Sequence, residues 1–140
     1  MSTTLSDKKF TNAQVAKYVF GWETETQKRH IHSADPGPYY KETGGSIVVS
    51  RWEDDIGPTA EYTDFFEEAK FDHMVLAHVN NRWTKRMKVA FGFWLTMILE
   101  KRVKPDSDLS DQTFACLLEY QIGDYAQAAM IAVEKEKGLK

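Results

Sequence analysis

Four histidines are the first residues to weigh for chemistry. His30 and His32 form an H-x-H pair, and on a strand that spacing puts both imidazoles on one face, where they could share a metal ion. A third ligand would have to come from the acidic run Glu53-Asp54-Asp55 after Trp52. His73 and His78 are five apart, the wrong spacing for one helical face. With no H-E-x-x-H, E-x-x-H or C-x-x-C pattern in the chain, no metal or other cofactor is expected; His30 and His32 stand as the only metal candidates.

Glu67, Glu68 and Asp72 beside His73 are of the types that move protons. In a helical pattern the same residues read as the solvated face of an amphipathic helix, and that is the expectation here. No nucleophile elbow, phosphate-cradling loop or G-x-G-x-x-G fingerprint occurs. The lone Cys116 lies among Phe114, Leu117 and Leu118, a pattern that should bury it as an inert core thiol, because burial without a basic neighbour raises a thiol pKa. Catalysis is therefore not the expected function, and no catalytic residue is assigned.

Binding chemistry is better represented. The run Asn80-Asn81-Arg82-Trp83-Thr84-Lys85-Arg86-Met87-Lys88 interleaves four cations with a tryptophan. Such a patch suits a phosphate-bearing ligand, RNA or an acidic protein surface; alternatively its cations only keep a helix start solvated. Tyr39 and Tyr40 follow Asp-Pro-Gly-Pro, and Trp52 precedes three acids; loop aromatics of this kind are frequent contact residues. Arg82, Trp83, Lys85, Arg86, Tyr39, Tyr40 and Trp52 are thus the candidate partner-binding residues.

Composition bounds the rest. A chain of 140 residues, 42% hydrophobic and 28% charged, is expected to be one domain over 1–140, with a polar, flexible lead at 1–9. The net charge of −3 fits neither an acidic DNA mimic nor a nonspecific nucleic-acid binder, so nucleic acid is a less favoured partner than another protein or a charged small ligand. The N-terminus lacks an apolar signal region, and the longest apolar stretch, Val89 to Leu99, is too short to span a bilayer. A single cysteine and no leader point to the cytoplasm.

The elements that must position these residues read as α+β: a small antiparallel sheet or hairpin covered by helices, with a helix-rich C-terminal half. Thr11 and Gln14 make a capping box for a helix through Val15, Ala16, Val19 and Phe20, stopped by Gly21. Strands are expected at 27–33 and 46–52, with the Pro- and Gly-rich segment between them as a long hairpin loop. A second helix opens at Thr63-Asp64; residues 73–79 and 87–93 fit helix or strand. Trp83 to Arg102 carries a helical stripe of Trp83, Met87, Ala90, Phe91, Trp94, Met97 and Ile98, from which Phe93 and Leu95 stand apart, leaving apolar surface for a second subunit. A helix from Asp108 or Ser110 through Ile122 and a last one over Tyr125 to Lys137 complete the pattern.

Val15-Ala16-Lys17-Tyr18-Val19-Phe20-Gly21-Trp22 resembles the opening V-A-x-x-V-M-G-W of the phage ABA sandwich domain, a family of small phage and prophage proteins. Pro58-Thr59 and Thr63-Asp64 before Phe65-Phe66 are similar to that family's turn before its second helix, and Ala126 to Ala132 to its Ala-rich last helix. Residues 83–104 have no counterpart in it. The resemblance implies a setting and no mechanism: a phage-encoded, non-enzymatic accessory protein that binds and inhibits or sequesters a host molecule, such as a defence or regulatory protein or a nucleotide. A second resemblance, of Phe10-Thr11-Asn12-Ala13-Gln14-Val15-Ala16 to the first helix of a helix-turn-helix, implies instead a DNA-binding regulator built on residues 11–32, with a recognition helix from Thr24.

Overall fold

Thr11 caps the first helix in the reciprocal manner its spacing predicts: its Oγ1 accepts the Gln14 N–H at 3.1 Å while the Gln14 side chain accepts the Thr11 N–H at 2.9 Å. The computed structural model of the protein describes residues 10–24, 34, 36–44, 46–102 and 119–138. The helix is α over Asn12–Gln14 (α1) and widens into a π-turn over Val15–Val19, where Val15, Ala16 and Val19 are buried. Gly21 ends it in the left-handed region, and Trp22 folds back to stack on Phe20 at 4.6 Å between centroids.

Strand β1 (Glu23–Thr24) follows at once and pairs in parallel with β2 (Tyr39–Thr43). Thr24, the expected start of the recognition helix, lies instead opposite Tyr40 in a sheet; residues 25–32 of that helix lie outside the described residues. β2 turns at Gly44 into β3 (Ser46–Glu53), and β3 turns at 54–56 into β4 (Gly57–Thr63), giving a mixed sheet of order β1-β2-β3-β4. β3 is the strand expected at 46–52. β2 replaces part of the expected loop, and β4 is an addition; its Pro58 is compatible with a strand because β4 has a neighbour on one side only among the described residues.

The strand period sorts side chains cleanly. Tyr40, Ile47 and Val49 share the face that enters the core, whereas Tyr39, Val48, Ser50, Trp52, Ala60 and Tyr62 share the opposite face.

Three longer helices complete the described fold: α2 (Ala69–Arg82), α3 (Lys85–Glu100) and α4 (Asp124–Lys137). Both ambiguous segments are helical. Phe71, Val75 and Val79 fall at helical spacing and are buried, as are Met87, Phe91 and Ile98 in α3. α2 begins later than expected. Asp64 accepts the N–H groups of Phe66 and Glu67 at 3.0 and 3.1 Å, which holds 65–67 as a separate turn, and the helix starts only after extended Glu68. Buried Asn12 locks that turn to α1, accepting the Phe65 N–H at 2.6 Å and donating to Asp64 at 3.2 Å.

α4 is buried on every side from Ala126 through Val133 apart from half-buried Gln127, with α2, α3 and the π-turn packed around it. Alanines at 126, 128, 129 and 132 keep its surface thin enough for those neighbours to approach closely. Glu119 to Gly123 form turns, so no helix continues through Ile122. The strand expected at 27–33, the helix expected through Phe114 to Leu118, Cys116, His30 and His32 lie outside the described residues. The protein is α+β, and among the described residues no helix is long and apolar enough to cross a membrane.

Gly92 sits inside α3 with nothing within 4 Å of the position a Cβ would take. Gly92→Ala should therefore raise stability by about 0.5–1 kcal/mol, the helix-propensity difference, read as a higher urea midpoint at unchanged m-value.

Candidate functional site

The basic run lies at the α2–α3 corner. Trp83 closes α2 with its N–H on the Val79 carbonyl at 3.2 Å, and Thr84 opens α3 by accepting the Met87 N–H at 3.2 Å. Arg82, Lys85, Arg86 and Lys88 are all exposed around this corner. Like charges here repel one another, and the N-terminal end of α3 adds the positive pole of its dipole, so the corner favours an anion. Arg86 donates from Nε to Glu136 on α4 at 3.0 Å; with Arg86 82% exposed, the pair contributes less than about 1 kcal/mol and leaves most of the guanidinium in water.

Trp83 is not a free contact residue. It is half-buried, meets Phe91 edge-on at 6.5 Å and packs against core residues on both sides of the corner. Its role is to fix the angle at which the cations are presented.

The sheet candidates separate. Tyr39 and Tyr40 are strand residues, 6% and 5% exposed, and neither is the loop contact its Pro-Gly surroundings suggest. Burial first, then the Glu42 charge, pushes the Tyr40 phenol above its ordinary pKa. Trp52 stays half-buried on the outer face, its backbone N–H held by the Pro36 carbonyl at 2.9 Å. Tyr62 on the same face and Ile56 in the preceding turn are 69% and 72% exposed. The alternation of Ala60 and Tyr62 against Thr59, Glu61 and Thr63 is the signal that would have located Tyr62 on an outward face.

Asp72 overturns its expected place on a solvated helix face: it is fully buried. Its carboxylate accepts the Ala126 N–H at 2.9 Å, the Tyr125 N–H at 3.4 Å and the Tyr120 hydroxyl at 2.5 Å. An acid on α2 thereby caps α4, whose own N-cap, Gly123, has no side chain to do so. Gly123 is required there: at φ 101° its backbone presses so close to Phe66 that a Cβ would stand 3.0 Å from the Phe66 carbonyl oxygen. Burial raises the Asp72 pKa, opposed by these hydrogen bonds, and burial together with Asp72 pushes the Tyr120 phenol up. Arg102 at the end of α3 completes the bracket with a two-pronged bond to Asp124 and a third to the Glu119 carbonyl at 3.2 Å. Both Asp72 oxygens accept from the protein's own backbone, and one also from Tyr120, so the chemistry of this acid–phenol pair is that of a clamp.

A cleft of about 580 Å³ opens beside α1, lined by Phe10, Asn12, Glu42, Ile47, Asp64, Phe66 and Glu67 among others. Asn12 and Asp64 in its wall are committed to the 65–67 turn. Among the described residues no three His, Cys, Asp or Glu side chains stand close enough to hold a metal ion, and Glu53, Asp54 and Asp55 are exposed around a tight turn. Compared with known protein families, curated proteins and solved structures, the chain gives no significant match.

Two outcomes test the clamp and its surroundings. Asp72→Ala leaves buried N–H groups of α4 without acceptors and should lower stability by about 2–4 kcal/mol, whereas Asp72→Asn, which keeps one acceptor oxygen, should lose less; urea unfolding of both variants decides. His78 on α2 packs against Phe20 at 4.6 Å; burial first, and then the Arg82 charge, lowers its pKa from 6.5 despite a bond to Val19. A lowered native pKa means that the unfolded chain binds more protons, so this part of the stability is complete above pH 6.5 and declines as pH falls below it. His78→Gln should flatten that slope in urea midpoints measured across the acidic range.

Proposed function

We propose that the protein works by occupying a partner, and that the cationic α2–α3 corner is the surface it uses. The observation that supports this most directly is the exposure of Arg82, Lys85 and Lys88 on either side of a capped helix start, next to the anchored Trp83. Rigid placement lowers the ordering entropy lost on binding, which distinguishes such a corner from solvating lysines on a loose loop. Its chemistry suits a phosphate-bearing ligand or the acidic surface of a protein.

The opening Val15-Ala16-Lys17-Tyr18-Val19-Phe20-Gly21-Trp22, with its resemblance to the phage ABA sandwich domain, supports a setting: a phage or prophage accessory protein in the host cytoplasm that sequesters or inhibits a host molecule. A stoichiometric inhibitor needs a preformed surface and no reaction centre, which agrees with an acid–phenol pair committed to capping α4.

The test is charge reversal with capture. Tagged protein is passed through bacterial lysate, and the retained proteins and small molecules are read by mass spectrometry. The variant Arg82→Glu/Lys85→Glu/Lys88→Glu should lose the anionic partner, with affinity reduced about 100-fold and a shallower dependence on salt. Capture of the same partner at unchanged affinity by the triple variant rejects the corner as the binding surface.

A further inference from the structure

The outward side of α3 carries a pattern the proposed binding corner does not use. Val89 and Phe93 are 65% and 54% exposed, large apolar side chains facing water on a helix whose other side is core. At about 100° per residue, Arg86, Val89, Ala90, Phe93, Thr96, Met97 and Glu100 fall within about 120° of arc, one continuous stripe. Ala90 and Met97 are half-buried along it, and Arg86, Thr96 and Glu100 are exposed.

The stripe is complementary to its own reverse. Seven residues before Phe93 stands Arg86, and seven after it stands Glu100. Four before is Val89 and four after is Met97; three before is Ala90 and three after is Thr96. When two copies of α3 lie antiparallel with a twofold axis at Phe93, Phe93 meets Phe93, Arg86 meets Glu100 and Val89 reaches toward Met97, while Ala90 and Thr96 on the edges of the stripe face Met97 and Val89. The two ion pairs then lie about 10 Å either side of the axis, capping an apolar centre. The spacing of seven between Arg86, Phe93 and Glu100 matches the seam of helices crossing at about 20°. Lys85 and Lys101 fall about 80° off the axis, at the rim, where salt screens them.

We propose that the protein self-associates as a twofold dimer through α3, antiparallel and centred on Phe93. One helix per copy buries less area than a standard permanent interface, so the dimer is weak and concentration-dependent. Arg86 joins the interface without giving up its intramolecular partner: Nε is held by Glu136, and the guanidinium has two further nitrogens for Glu100 of the second copy.

Sedimentation equilibrium of the whole chain from about 10 µM to 1 mM tests this. The expected result is a mass rising from 16.1 kDa toward the dimer as concentration increases. Phe93→Glu should weaken association at least about 100-fold, since two like charges would meet on the axis. Arg86→Glu and Glu100→Arg should each weaken it by about 5-fold or more, and the double swap should restore it to within about 2-fold. All three positions are exposed enough for the variants to keep the wild-type circular dichroism, which is the control for folding. A monomer throughout the range overturns the dimer. A dimer indifferent to Phe93→Glu overturns the surface, and failure of the double swap to rescue overturns the antiparallel register. The charge-reversed corner variant used for partner capture leaves Phe93, Arg86 and Glu100 intact, so the two readings fail separately.

Discussion

The fold turns on one capping interaction made between helices rather than within one. α4 is the centre of the core, yet it starts at a glycine that offers no side chain to its first N–H groups. Asp72, one turn into α2, supplies the missing acceptor and places a buried carboxylate at the positive end of α4. Bare, that charge would be costly in an apolar interior; surrounded by backbone donors, the Tyr120 hydroxyl and the nearby Arg102–Asp124 pair, it becomes the point where α2, α3 and α4 are held in register. The Asn12–Asp64 lock does the same work for the first helix, joining α1 to the turn that leaves the sheet.

Between these two locks the surfaces are free to specialise. The corner after α2 and the outer stripe of α3 are presented by a helix whose inner face is fixed by Met87, Phe91 and Ile98, so cations and exposed apolar groups sit on a stiff support. The outer sheet face is different in kind: it buries Tyr39, half-buries Trp52 and exposes Tyr62, a gradient from covered to open along one surface.

What the sequence made legible was whatever depends on neighbours along the chain. The capping box of Thr11 and Gln14, the stop at Gly21, the β-branched run Ile47-Val48-Val49 and the 3.6-residue stripe of α3 are local patterns, and each corresponds to the element it suggests. Asp72 was not legible, because an acid beside Glu67, Glu68 and Lys70 looks like surface, and its partners Tyr120 and Ala126 are 48 and 54 residues away. Tyr39 and Tyr40 were misread for a related reason: Pro36, Gly37 and Pro38 signal a loop, and only the pairing of Tyr40 with Val49 and of Tyr39 with Ser50 makes them strand. Of the candidate site, the exposure of Arg82, Lys85 and Arg86 followed from charge alone, while the burial of Trp83 required the packing of three helices.

That α4 is the innermost element also sets an order of events. The first helix, α2 and α3 all precede residues 124–133 in the chain, and each packs on a helix that a ribosome makes after them. Until that stretch emerges, Val15, Val75 and Phe91 lack part of the surface that covers them in the folded protein, and the growing polypeptide carries exposed apolar surface. The centre of the domain is thus closed by one thin alanine-faced rod that follows its neighbours in the chain.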